Sequence, residues 1–310
     1  MDAFGKKFVL SDFGGTHDAI IGGVICGCPK GVFVDKEFIY AEMKRRAPSS
    51  DPLSTQRREC DEVHFLTGIK DDITTGENIR FEIHNKDVKI NVATLNVIKP
   101  SHASFTYKVK YGIEDNRGTG RASARQTACR VVAGALAKLV LKKYNIEINA
   151  VAEYIAPIKA QDTSGAKVKC CIKGIPAGLG EPIYDKFDAR LAYAMLSINA
   201  AKGFELGKGF EAAQMNGSCY NDIQNPDFSF QTNHDGGVQA GITNGQEVYF
   251  SVAFKPIPTL QKAQKTIDFQ GNPTIYVGNN RNDICVVPRV LPVVEAMAAM
   301  VTLDFILMNE

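Results

Sequence analysis

Along the chain, apolar and polar positions alternate in short runs: Ala19–Ile25, Val63–Ile69, Asn78–Ile83, Lys167–Lys173, Glu247–Phe254 and Thr274–Val277. A period of two over four to eight residues predicts half-buried antiparallel strands, with one face on a core and the other on solvent. Longer segments between them have helical spacing. Asp35 stands where an N-cap belongs, ahead of Lys36–Arg46, and the cations that close that segment suit a helix C-terminus. Ala122–Tyr144 places Val131, Val132, Ala135, Leu136 and Leu139 on one apolar face. Lys186–Lys202 stops at Gly203, and Pro292–Met308 is apolar enough to pack in a core. The helices are few and long and do not alternate with the strands, which predicts an α+β fold rather than a doubly wound sheet. No low-complexity linker or repeat divides the sequence, so residues 1–310 read as a single domain.

Composition narrows the function. The net charge is +2 with no long run of one sign, so no nucleic-acid partner is expected. No apolar stretch approaches a membrane span, and MDAFGKKFVLSDFGG lacks a cleavable leader, so no membrane association is expected. Eight cysteines without a secretory signal read as reduced thiols in the cytoplasm. With no CxxC spacing and five scattered histidines, no metal site is expected. Two nucleotide motifs are excluded. GFELGKGF has Gly209 where Walker A needs Ser or Thr, and Gly118-Thr119-Gly120 lacks the third glycine of a dinucleotide fingerprint.

The densest chemistry lies in RGTGRASARQTACR, where Arg117, Arg121, Arg125 and Arg130 crowd a glycine turn and the start of the predicted helix. A helix N-terminus already carries partial positive charge and unpaired N–H groups. Stacking arginines there is favourable when an anion sits among them, which predicts a phosphate or carboxylate site of non-P-loop design.

Long segments, in order along the chain, resemble the chorismate synthase family. They are STQRRECDEVHFLTGI (54–69), KPSHASFTYKVKYG (99–112), RGTGRASARQTACRVVAGALAK (117–138), GIPAGLGEPIYDKFDARLAYAMLSINAAKGFELGKGF (174–210), TNHDGGVQAGITNGQ (232–246), VAFKPIPT (252–259) and CVVPRVLPVVEAMAAM (285–300). The resemblance implies a sandwich of helices between antiparallel β-sheets, assembled as a homotetramer. It also implies anti-1,4-elimination of phosphate from 5-enolpyruvylshikimate 3-phosphate to give chorismate. Reduced FMN is needed but not consumed, and NADPH enters only as a reductant. In the family picture the flavin lends an electron that expels phosphate and recovers it as the C6 proton leaves.

Position by position, the resemblance makes His17 the proton donor to the departing phosphate and His102 the residue that sets the flavin's protonation. Asp283 would assist proton removal. Flavin contacts fall to Arg121, Ala122, Ser123, Asn199, Ala200, Ala240, Lys255, Pro256, Ile257, Pro258, Thr259 and Arg281. Substrate anions fall to Arg46, Arg117, Arg121 and Arg130. His64, His84 and His234 read as structural.

Departures from the family pattern cluster at expected ligand contacts. Ala47 and Pro52 replace arginines, Asp18 replaces a glycine, Lys99 an arginine, Gln126 a glutamate, Ala240 a glycine and Asn282 a histidine. Several tens of residues expected between Pro157 and Asp162 are missing. Two lost charge-assisted contacts would weaken substrate binding by about 10² to 10⁴. An unpaired Asp18 about 4 Å from a phosphate would cost on the order of 4 kcal/mol. Two other readings stay open on these grounds: a non-catalytic FMN-binding paralogue or partner subunit, and a flavoenzyme for a less anionic substrate.

Overall fold

A computed structural model describes residues 2–48, 51–55, 61–86, 94–278 and 282–310. Its first sheet runs in the order β1 (Ala3–Phe4), β2 (Val9–Phe13), β3 (Ile20–Cys26), β7 (Ile79–His84), β4 (His64–Phe65), and every pairing is antiparallel. The second runs β10 (Ala201–Leu206), β13 (Val248–Phe254), β9 (Ala166–Lys173), β8 (Glu147–Ile155), again antiparallel throughout. Alternation sets which side faces inward. On β9, Ala166, Val168, Cys170 and Ile172 are buried, and they register with Phe254, Val252, Phe250 and Val248 of β13. A slip of one residue would turn this apolar row to solvent.

The helices lie between the sheets, as the α+β expectation requires. α1 (Lys36–Arg46), α3 (Thr127–Leu141), α4 (Phe187–Leu196) and α6 (Leu291–Asn309) form the middle layer. There α3 packs on β2 and β3 and on β8, α6 on β8 and β9, and α4 on β10. Asp35 caps α1 as predicted, accepting the Phe38 N–H at 2.9 Å. Thirteen of the fifteen α3 residues are buried, all but Arg130 and Lys138, so α3 is apolar all round rather than on one face. A helix of that composition belongs in a core. α6 is long and apolar enough to span a membrane by length and composition, but it lies buried in the middle layer. The two helices touch at Gly134, where an added Cβ would overlap Ala296.

Two acids on α6 tie the layers together. Asp304 accepts the backbone N–H groups of Lys6, Lys7 and Phe8. Glu295 accepts Arg45 of α1 twice at 2.7 Å, Lys138 of α3 at 2.6 Å and the Ala150 N–H of β8 at 3.0 Å. Burial opposes its charge, yet Arg45 and Lys138 hold its carboxyl below the usual range.

Three ribbons complete the strands: β5 (Ile69–Lys70) with β6 (Ile73–Thr74), β11 (Val238–Gln239) with β12 (Ile242–Thr243), and β14 (Gln264–Ile267) with β15 (Pro273–Tyr276). Two short helices, α2 (Ser104–Tyr111) and α5 (Gly217–Tyr220), lie outside the middle layer. The β8–β9 hairpin is joined by residues 156–165, and the Ala156 N–H donates to the Gly165 carbonyl at its base. Its tip bonds to the chain beyond β13, with the Thr163 hydroxyl on the Ile257 carbonyl at 2.7 Å.

Candidate active site

A cavity of about 460 Å³ opens where seven loop segments converge. The β2–β3 turn contributes Thr16 and His17, and the end of α1 contributes Arg46 and Pro48, with Thr55 beyond them. Lys99, Ser101, His102 and Ala103 come from the turn before α2. The irregular segment before α3 adds Asn116, Thr119 and Ala122–Arg125, and the α4–β10 turn adds Asn199 and Ala200. Lys255, Ile257, Pro258 and Thr259 follow β13, and Asn282, Asp283, Val286 and Arg289 precede α6.

Local structure explains how these groups are held. The β2–β3 turn is fixed by Asn85, whose Nδ2 donates to the carbonyls of Gly15 (3.1 Å) and Asp18 (2.6 Å). His17 Nδ1 lies 2.9 Å from the Arg117 carbonyl. A carbonyl only accepts, so Nδ1 carries the proton and Nε2 is the nitrogen left for other partners. The Lys99–His102 turn is clamped by buried Asn116. It accepts the Ser104 hydroxyl at 2.6 Å and donates to the carbonyls of Thr94 and Val97, each at 2.7 Å. Ser101 and Ala200, both cavity residues, sit at φ 55° and 67°. Lys255 spans them: its Nζ donates to the Ser101 carbonyl and its N–H to the Ala200 carbonyl. Left-handed backbone at non-glycine residues costs about 1–3 kcal/mol and concentrates at ligand-binding sites.

The electrostatics favour anions. Arg46, Lys99, Arg125, Lys255 and Arg289 line the cavity. Asp283 on the wall pairs with Arg289, and Asp61 behind it pairs with Arg46 and Arg125. Lys99 has no ion-pair partner among the described residues, and burial pushes its pKa down. Burial, followed by the charges of Lys99 and Lys255, lowers His102 to about 4, and its buried Nδ1 meets no hydrogen-bond partner. Among the described residues no neighbouring anion raises it.

His102 therefore titrates lower in the folded chain than its ordinary 6.5. The unfolded chain binds the extra proton, so this contribution to stability is complete above pH 6.5 and is lost as pH falls toward 4. Its size is about 3 kcal/mol. Urea unfolding across that range will show a loss in the native protein that His102→Gln lacks; parallel curves for the two would refute it.

The structure gathers many of the residues expected from sequence and disperses others. His17, His102, Asp283, Arg46, Ala122, Ser123, Asn199, Ala200, Lys255, Ile257, Pro258 and Thr259 share the cavity, and Pro256 lies within the same segment, beside Gly165. Arg281 lies outside the described residues. The arginine cluster does not form. Arg117 is exposed and paired with Asp115, Arg121 pairs with Asp2 and Asp12, and Arg130 donates to Ser197 beside a separate small cavity. The physical reason is that α3 starts at Thr127, and the residues before it are short 3₁₀ turns broken by extended Ser123. Arg117 and Arg121 fall before that break and Arg125 after it, so only Arg125 reaches the cavity. Asp283 lines the wall, but both its oxygens accept from Arg289 and one also takes the Thr55 N–H at 2.7 Å.

Three feared departures lie elsewhere. Asp18 and Pro52 are exposed and Ala47 is buried, and none of them lines the cavity. Ala240, at φ 53°, is an exposed corner of the β11–β12 hairpin beside Gly241, so the glycine position reflects a tight turn. The His64 and His84 rings meet edge to face at 5.5 Å, and His234 Nδ1 meets the Tyr220 carbonyl at 2.7 Å. Sequence reasoning assigned no site role to Arg289, Ser101 or Thr119. Their spacing carries no local signal, and only the resemblance of 285–300 pointed near Arg289. Among the described residues no group of His, Cys, Asp or Glu is placed to hold a metal.

The fold and its site are an α+β sandwich of helices between antiparallel sheets with a cation-walled, two-histidine cavity. The family model described as "Chorismate synthase" matches residues 8–160 and 149–307. The chorismate synthase of Christiangramia forsetii is 45% identical, covering 100% of this chain and 98% of the relative. That of Parabacteroides distasonis is 43% identical, covering 100% and 99%. A solved structure titled "Crystal Structure of Chorismate Synthase" superposes with a TM-score of 0.77 at 26% identity, over 99% of this chain and 93% of that one. The chain belongs to the chorismate synthase family, which are lyases of the shikimate pathway. Its two matched stretches meet at the β8–β9 hairpin. The Christiangramia alignment runs over 347 positions, 37 more than the chain has residues, so that relative carries sequence absent here.

Proposed function

We propose that this protein converts 5-enolpyruvylshikimate 3-phosphate to chorismate by anti-1,4-elimination of phosphate, with reduced FMN required but not consumed. One observation supports the reading above the rest: His17, His102 and five cations face one cavity, in a chain whose substitutions at 18, 47, 52 and 240 fall off its wall.

The residues present fit the flavin. Lys99, without an ion pair among the described residues, the orphaned His102 nitrogen and the Lys255–Thr259 segment offer a cation, a ring nitrogen and backbone groups to a phosphorylated ring system. Asn199 is held by donating to the Ala122 carbonyl at 2.9 Å, which joins two further flavin-contact positions. Reduced FMN, when bound, supplies electron density that allows the allylic C–O bond to break with no net redox change. The protein's own share is positioning, charge neutralisation and proton supply. Arg46 and Arg125 neutralise substrate anions. His17 delivers a proton from Nε2 to the leaving phosphate, which it does as the imidazolium because Nδ1 is committed to Arg117. His102, neutral in the free protein, offers its ring to the flavin. Asp283, held by Arg289 and the Thr55 N–H, ties 51–55 to the segment before α6 and would assist removal of the C6 proton. The assembly is a homotetramer in the cytoplasm, and NADPH takes part only as a reductant of the flavin.

Anaerobic incubation of the purified protein with substrate and reduced FMN tests the reading. Chorismate and stoichiometric phosphate are the expected products. Flavin binding without either product would replace it by the non-catalytic alternative.

A further inference from the structure

Asp61 is not part of the cavity wall, yet two of its cations are aimed by it. One oxygen, Oδ2, accepts from Nε (3.1 Å) and Nη2 of Arg46, and the other, Oδ1, accepts from Nη1 of Arg125. The side chains are 1%, 3% and 4% exposed, so this arrangement has no solvent to correct it. Here one carboxylate bridges two guanidiniums, both of which line the cavity. Breaking either buried contact is costly, so the bridge holds the two arginines in one arrangement.

The geometry points to Asp61 as a positioning residue that fixes the spacing and aim of Arg46 and Arg125, so that both meet the same phosphate-bearing ligand. Two neighbours reinforce that aim. The Arg125 Nε donates to Asn85 Oδ1 at 2.8 Å, and Asn85 also holds the turn that carries His17. The Arg289 Nε donates to the Arg46 carbonyl at 3.0 Å, fixing the backbone from which Arg46 projects. Burial disfavours the charges of both Asp61 and Arg46, while the two arginines hold the Asp61 carboxyl below the ordinary range. The inference rests on the reading of the cavity as a phosphate site.

Calorimetric titration of the whole protein with inorganic phosphate tests it, using Asp61→Glu, which keeps the charge and moves it by one methylene, and the isosteric Asp61→Asn. Asp61→Glu should bind phosphate about tenfold to a hundredfold more weakly. Its KM for the phosphorylated substrate should rise in parallel while kcat stays within about threefold. Asp61→Asn should also bind more weakly, although it adds a net positive charge. Phosphate affinity within twofold of the native value in Asp61→Glu, or tighter binding in Asp61→Asn, overturns the proposal, as does failure of both variants to fold. Native protein that binds phosphate with this pattern but forms no chorismate removes the proposed reaction and leaves Asp61 its role. Chorismate formation with unchanged phosphate binding in Asp61→Glu does the reverse.

Discussion

Replacing His17 with Asn will slow chorismate formation by about 10² to 10⁴ while leaving substrate affinity nearly unchanged. The turn should survive the change, because Gly15, Thr16 and Asp18 are held by backbone bonds and by Asn85, not by the imidazole. An Asn amide can still donate to the Arg117 carbonyl, but it carries no transferable proton. On the proposed mechanism, what is lost is proton delivery to a leaving phosphate, a step made only in the transition state, so kcat and kcat/KM should fall together. Single-turnover measurements with reduced FMN will read this directly. A rate within fivefold of the native enzyme would assign His17 to binding or to structure.

The second large effect lies away from the cavity. Glu295→Ala will destabilise the protein by about 3–5 kcal/mol in urea unfolding. The carboxylate is 1% exposed and holds cations from α1 and α3 and a backbone donor from β8. Its removal leaves Lys138 and Arg45 to share Glu42, and orphans the Ala150 N–H in the core. Replacing Glu42, Arg45, Lys138 and Glu295 together by apolar residues of similar volume should cost less, since no charge is then left uncompensated and only the Ala150 N–H stays orphaned. Equal losses in the single and quadruple variants would contradict this account.

Period-two alternation located β3, β7, β9 and β13 because each has one face on the core, and β15 although only Tyr276 of that ribbon strand is buried. It missed β8, an edge strand whose residues are nearly all exposed or half-exposed, and α2, whose only buried residue is Ser104. The helix predicted over Lys186–Lys202 ends at Leu196, and β10 starts at Ala201. The chain reverses at Ala200 in a left-handed conformation with no glycine or proline to announce it. The charge pattern around Arg117 misled for a related reason: reading it as one helix put four arginines together, whereas extended Ser123 separates them. His17 and His102 were legible only through their surrounding motifs. The supports that aim the cavity cations, Asp61, Asn85 and Asn116, are distant in sequence and have no periodic signature.

The α6 helix has a bearing on when the protein becomes foldable. It is translated after every other described element, yet Gly134 of α3 fits against Ala296, and Glu295 joins three partners that leave the ribosome much earlier. A nascent chain lacking α6 would leave the apolar surfaces of α3 and β9 bare. Such surfaces are prone to aggregate. Completion of the native state therefore waits until α6 has been made, and until then the growing polypeptide carries apolar surfaces without their cover.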